Sequence, residues 1–125
     1  LPQNPADIAT AYGAGGARRI YNDCSGKHLG FLTVARHLGS NTSYADRDHP
    51  AQRLYLDVLS EYTGKDAGAM PYGVDSCGLP AIALTMGDMA KAAARFGAGQ
   101  GRTAARRAAV RRVLNAMARH PDHLA

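Results

Sequence analysis

Cys24, Lys27 and Cys77 are the residues of this chain whose types and spacing point to chemistry. The first two lie in Tyr21-Asn-Asp-Cys-Ser-Gly-Lys-His28, a short polar segment placed where a helix begins. The free N–H groups and partial positive charge of a helix N-terminus favour a thiolate, and a neighbouring lysine adds to this. A thiolate is a nucleophile or a metal ligand. Cys24 and Lys27 are three residues apart, so one helical turn can aim both at the same point. Cys77 sits in a second, glycine-flanked turn beside Asp75. If the two turns meet, Cys24, Cys77 and a nitrogen from Lys27 or His28 could surround one zinc ion, leaving a position for water or substrate. A lysine ligand must be neutral, so the metal and local burial would have to lower its pKa. Spacing alone does not define this site. Two buried structural cysteines are a further reading, and so is a disulfide between them. A Cys24 nucleophile with His28 as base is weaker, because such pairs come from separate elements. Ser25-Gly-Lys27 lacks the glycine spacing and following hydroxyl of a phosphate loop.

The elements that must position these residues read mostly as helices. Asn4 and Pro5 suit the start of a short helix reaching Tyr12, closed by Gly13, Gly15 and Gly16, with Arg18 to Asp23 extended or loop. A second helix starts near Gly26. Phe31, Val34, Ala35 and Leu38 fall on one of its faces, and Gly39 stops it. Ser40 to Arg47 is a polar loop. Asp48 is read as the cap of a third helix, with Pro50 in its first turn and an apolar stripe of Ala51, Leu54, Tyr55, Val58, Leu59 and Tyr62 up to Gly64. From Lys65 to Pro80 the helical period vanishes, and Tyr72 to Gly78 reads as a strand running into a tight turn. Ala81 to Met86 is a strand or a helix start. Asp88 is read as the cap of a fourth helix to Phe96. Gly97, Gly99 and Gly101 break the chain, and Thr103 caps a last helix with Val110, Val113, Leu114 and Met117 on one face and Pro121 beyond. His37 reads as a helix-end residue and His49 as a first-turn residue, and His120 and His123 as solvated ones. The fold expected is mainly α with one or two short strands, in one domain over 1–125.

Composition sets the outer limits. The chain has 125 residues, 46% of them hydrophobic, enough for one ordered domain. With no Trp and two Phe, its core must rely on Ala and be thin. The net charge is +5, and Arg102, Arg106, Arg107, Arg111, Arg112 and Arg119 crowd the last helix. No aromatic residue interleaves with them for base stacking, so a solvated face is favoured over nucleic acid or an anionic membrane. No apolar run has the length to cross a bilayer. Two cysteines are few for a disulfide-stapled secreted domain and fit a reducing, cytoplasmic setting. The chain opens on Leu1 with no leader and stops mid-pattern at Leu124-Ala125, which reads as a central piece with both ends missing.

Taken together, Asn22-Asp-Cys-Ser-Gly-Lys-His28, Asp48-His-Pro-Ala-Gln52 and Tyr72-Gly-Val-Asp-Ser-Cys-Gly78 resemble, in that order, a bacterial zinc-containing L-asparaginase family. That family has a fold similar to serine β-lactamases and glutaminases, α+β when complete. The Arg-rich helix ending at His120-Pro121 is also similar to the family. The resemblance implies hydrolysis of L-asparagine to L-aspartate and ammonia. Cys24, Lys27 and Cys77 would then be the zinc ligands, and His28 and Asp75 would support the site. It also implies a homodimer, and a Ser–Lys nucleophile pair that this chain does not hold, since no Ser-x-x-Lys occurs in it. The piece alone is expected to be inactive. A homologue that binds asparagine without hydrolysing it, and a small basic nucleic-acid-binding module, are the rival readings. Three departures stand out: Tyr21 where His is common, Asp23 for the second Asn, and Ser76 for the Gly before Cys77. Asp23 is expected to join the zinc shell or shift its charge, and Ser76 to restrict a turn that wants glycine.

Overall fold

The computed structural model describes residues 5–13, 15 and 22–121. In chain order these form α1 (Pro5–Gly13), α2 (Ser25–His37), α3 (Pro50–Thr63), a 3-10 turn (Ala67–Ala69), β1 (Tyr72–Val74), β2 (Pro80–Ile82), α4 (Met86–Gly97) and α5 (Ala104–Arg119). The two strands pair as one antiparallel sheet, so the chain is mainly helical with two short strands, as the hydrophobic periods predict. Asn4, Gly16, Arg18 to Tyr21 and His123 lie outside the described residues. No helix among the described residues is long and apolar enough to cross a membrane.

The chain divides into two compact units, residues 1–52 with 74–80, and residues 53–73 with 81–125. In the first, Ala35, Ala51 and Leu79 are buried, joined by the polar side chains of His49 and Gln52. Both polar groups are satisfied, as buried ones must be. His49 Nε2 donates to the Asn41 carbonyl at 3.0 Å, and its Nδ1 accepts the Ala51 N–H at 3.1 Å. The Gln52 amide donates to the Tyr44 carbonyl at 2.8 Å. The Asp-His-Pro-Ala-Gln segment thus clamps the 41–44 loop. The ring of His49, immediately before Pro50, meets the N–H of Ala51, the first that α3 offers since Pro50 has none, so His49 does the capping expected of Asp48. Along α2 the apolar face is buried at Ala35, while Leu38 is 45% exposed.

The second unit packs around Tyr62, Thr63, Ala67 and Val110. Tyr62 donates its hydroxyl to the Gln100 carbonyl at 2.6 Å and meets Phe96 edge to face at 5.9 Å between centroids. The carbonyls left open at the end of α3 are answered by Arg95, which donates to Tyr62 O at 3.1 Å and Glu61 O at 3.3 Å. Gly64 then turns the chain with φ +76°, a conformation an L side chain resists. The 3-10 turn, absent from the sequence reading, is held by the Ser60 hydroxyl accepting the Ala67 N–H and by Asp66 accepting that of Gly68. The stripe of α3 is uneven: Tyr62 is buried, but Leu54 and Tyr55 are 38% and 37% exposed.

The strand–helix ambiguity after Pro80 resolves into both, because Thr85 ends the extended stretch and caps α4. Its hydroxyl accepts the Asp88 N–H at 3.1 Å while the Asp88 carboxylate accepts from Thr85, a complete capping box. Asp88 is therefore the third helical residue and not the cap. The Lys65 ammonium, first, and then the Thr85 hydroxyl hold its carboxyl below the usual range. Thr103 does cap α5, accepting the Arg106 N–H.

Candidate functional site

The first unit brings the two chemistry-bearing turns together. Cys24 occupies the N-cap of α2 and has no side-chain cap bond of its own. Its N–H is instead accepted by the side chains of Asn22 and Asp23, at 2.9 and 3.0 Å. Cys77 lies in the turn between β1 and β2, closed by Asp75 N–H to Leu79 O at 2.9 Å and Gly78 N–H to Asp75 O at 3.0 Å. The glycine this turn uses is Gly78, at φ +83°; among the described residues no other residue type has a positive φ, so Ser76 fits without the strain expected of it.

Cys24 and Cys77 are joined as a disulfide across 53 residues, their Cα atoms 6.9 Å apart. The linkage is the pairing that the cysteine count left open. One turn into α2, the Lys27 ammonium forms an ion pair with Asp75 Oδ2. Asp75 has a second task. Its Oδ1 accepts the N–H groups of Cys77 and Leu79, both at 2.9 Å, and so shapes the turn that presents Cys77. Lys27 first, and then those N–H groups, hold the Asp75 carboxyl down from 3.8 to about 2. The Cys24–Cys77 linkage and the Lys27–Asp75 ion pair therefore tie the same two turns together.

His28 faces another neighbour. Its Nδ1 is 2.9 Å from the Tyr44 hydroxyl, and the two rings meet edge to face at 5.7 Å. Tyr44 in turn stacks on Phe31, 6.1 Å between centroids and 7° from parallel. Since the Tyr44 carbonyl is held by Gln52, a line of contacts runs from the third helix through the 41–44 loop to His28. Sequence reasoning passed over Tyr44 because its surroundings read as polar loop. The available signal was an aromatic residue set alone among Ser, Asn and Asp, eight residues before a buried Gln.

If the linkage were opened, the two thiolates and the Lys27 amine would make up a soft N/S set of the kind zinc takes. Among the described residues no three His, Cys, Asp or Glu side chains gather as a metal group, so a three-ligand site here depends on Lys27. In the second unit, an open cleft is lined by Ser60, Glu61, Lys65, Asp66, Arg95 and Arg102. Several of its charges are already engaged: Arg95 holds the end of α3, Lys65 pairs with Asp88, and Glu61 pairs with Arg102 and Arg106. Arg107 donates to the Gly101 carbonyl. Half of the six arginines at the last helix thus serve the fold.

The chain matches the model of the L-asparaginase II family over residues 2–125. It belongs to the L-asparaginase II family. No curated protein matches it closely enough to add a named relative. Family membership places the chain among asparaginase-related amidohydrolases and makes asparagine the substrate that the family implies.

Proposed function

We propose that this chain is the metal-bearing segment of an amidohydrolase that converts L-asparagine to L-aspartate and ammonia. The observation that carries the reading is that the turn of Cys24 and Lys27 is tied to the turn of Asp75 and Cys77, by the sulfur linkage and the Lys27–Asp75 ion pair, in a chain of the L-asparaginase II family. With both cysteines reduced, their sulfurs and the Lys27 nitrogen would hold a zinc ion. Zinc in such a site acts as a Lewis acid that polarises a carbonyl oxygen. The protein's own part is positional. Asp75 fixes the Cys77 turn with one oxygen and keeps Lys27 beside it with the other. Tyr44 fixes the ring of His28, the residue after Lys27, through its Nδ1. The acylating serine and its lysine are assigned to polypeptide outside these residues, because the sequence contains no Ser-x-x-Lys. The proposal extends to a β-lactamase-like fold for the complete enzyme, a homodimer and a cytoplasmic location.

The test is ammonia release by the complete polypeptide supplied with L-asparagine, beside a Cys24→Ala, Cys77→Ala double variant. The reading predicts ammonia and aspartate in equal amounts and a large loss in the variant. Asparagine binding without ammonia would convert the protein into a non-catalytic binder. Full activity in the double variant would remove the metal site from the reaction.

A further inference from the structure

The same two sulfurs are asked to do two incompatible things. In the structure they are bonded to each other; as zinc ligands each must be a separate thiolate. We propose that Cys24 and Cys77 form a redox-gated metal site, closed to zinc as a disulfide and opened by reduction. The proposal rests on the zinc reading above and adds its regulation.

Three observations carry it. The backbone is in place for both states. A disulfide needs its sulfurs roughly 2.05 Å apart, and two thiolates on a tetrahedral zinc with bonds of roughly 2.3 Å lie roughly 3.8 Å apart. Rotation of two side chains, on Cα atoms 6.9 Å apart, covers that difference. Next, the third donor is at hand: Lys27 lies three residues from Cys24 and is held to the Cys77 turn through Asp75. Last, the site is reachable: Cys24 and Cys77 are both half-buried and the Lys27 side chain is 41% exposed, so an external thiol can approach.

The exchange balances with a small thiol–disulfide couple of the glutathione class. In the opening direction, two external thiols give two electrons and two protons, become one external disulfide, and leave Cys24 and Cys77 as thiols. Each thiol gives up its proton when it binds the cation. In the closing direction, the two protein thiolates give two electrons to an external disulfide, whose sulfurs depart as thiolates and take up protons. The Cys24–Cys77 bond forms, and the cation leaves because neither sulfur keeps its negative charge.

The experiment uses the full chain, equilibrated with zinc in either reduced or oxidised glutathione and then freed of unbound metal. Zinc is measured by elemental analysis, and thiols are counted by alkylation and mass spectrometry after denaturation in chelator. The expected result is about one zinc and two thiols per chain in reduced glutathione. In oxidised glutathione it is less than about a tenth of that zinc, no thiols, and a linked peptide pair containing Cys24 and Cys77; re-reduction restores the zinc. Two free thiols with zinc retained under oxidation would overturn the gating and leave the zinc reading standing. Zinc retained by the linked protein would overturn the gating and the ligand set together. Absence of zinc from the reduced protein would overturn the zinc reading and the gating with it, while the mass data would still report whether the disulfide forms.

Discussion

Reducing the Cys24–Cys77 linkage in the absence of metal should destabilise the fold by an amount set by the length of chain it closes. The two cysteines are separated by 53 residues. Constraining a loop of that length in the unfolded chain is worth about 4 kcal/mol by the chain-entropy relation. Single domains commonly have about 5–15 kcal/mol in total, so the loss would be a large share. The assay is urea unfolding followed by far-ultraviolet circular dichroism, with and without a dithiol reductant, chelator present in both. With a slope of about 2 kcal/mol per molar urea, the midpoint should fall by about 2 M on reduction. A Cys77→Ser variant should unfold at the reduced midpoint whether or not reductant is added. Coincident midpoints for the oxidised and reduced parent would refute the argument, because they would mean that the linkage constrains nothing that unfolding releases.

Other perturbations follow from the site and its supports. Lys27→Gln should raise the Asp75 carboxyl from about 2 toward 3.8, read from its carbon chemical shift against pH. Because that folded-state value is depressed, the stability Asp75 contributes is complete above about pH 4 and is lost as pH falls from 3.8 toward 2; the variant's acid limb should be flatter there. Tyr44→Phe should change the ring nitrogen shifts of His28 with little loss of helix, whereas unchanged shifts would mean that the 2.9 Å bond does not orient the ring. Gln52→Ala should cost about 1–3 kcal/mol, since it removes a side chain only 1% exposed and with it the bond to the Tyr44 carbonyl. Thr85→Ala should lose about 1 kcal/mol with the cap of α4, measured by thermal unfolding.

Much of this was legible in the sequence because its signals are local. Period-3.6 stripes located α2, α3 and α5, cap residues and glycine breaks marked α1 and α4, and the stops at Gly39 and Gly64 have the left-handed backbone that such positions use. Thr103 was readable as a cap because no other cap-type residue competes immediately before α5. Where several compete, the reading slipped: Asp48 next to His49, and Asp88 three residues after Thr85. In each case the deciding bond is a side chain meeting a particular backbone N–H, which composition does not encode. Proximity across the chain was harder still. C-x-x-K on one turn placed Cys24 and Lys27 together, but only the hairpin geometry set by Asp75 and Gly78 brings Cys77 to them. Tyr44 was passed over for the same reason, since its role is defined by three partners at distant positions.

The most direct test of the proposed metal centre is the zinc content of the reduced parent chain beside a Lys27→Ala variant, measured by elemental analysis after removal of unbound metal. Since no third His, Cys, Asp or Glu gathers with the two cysteines among the described residues, the zinc reading requires the lysine to complete the ligand set. About one zinc per parent chain, with most of it lost in the variant, is the predicted result. Equal zinc in the two proteins would contradict it and send the search for the third ligand elsewhere.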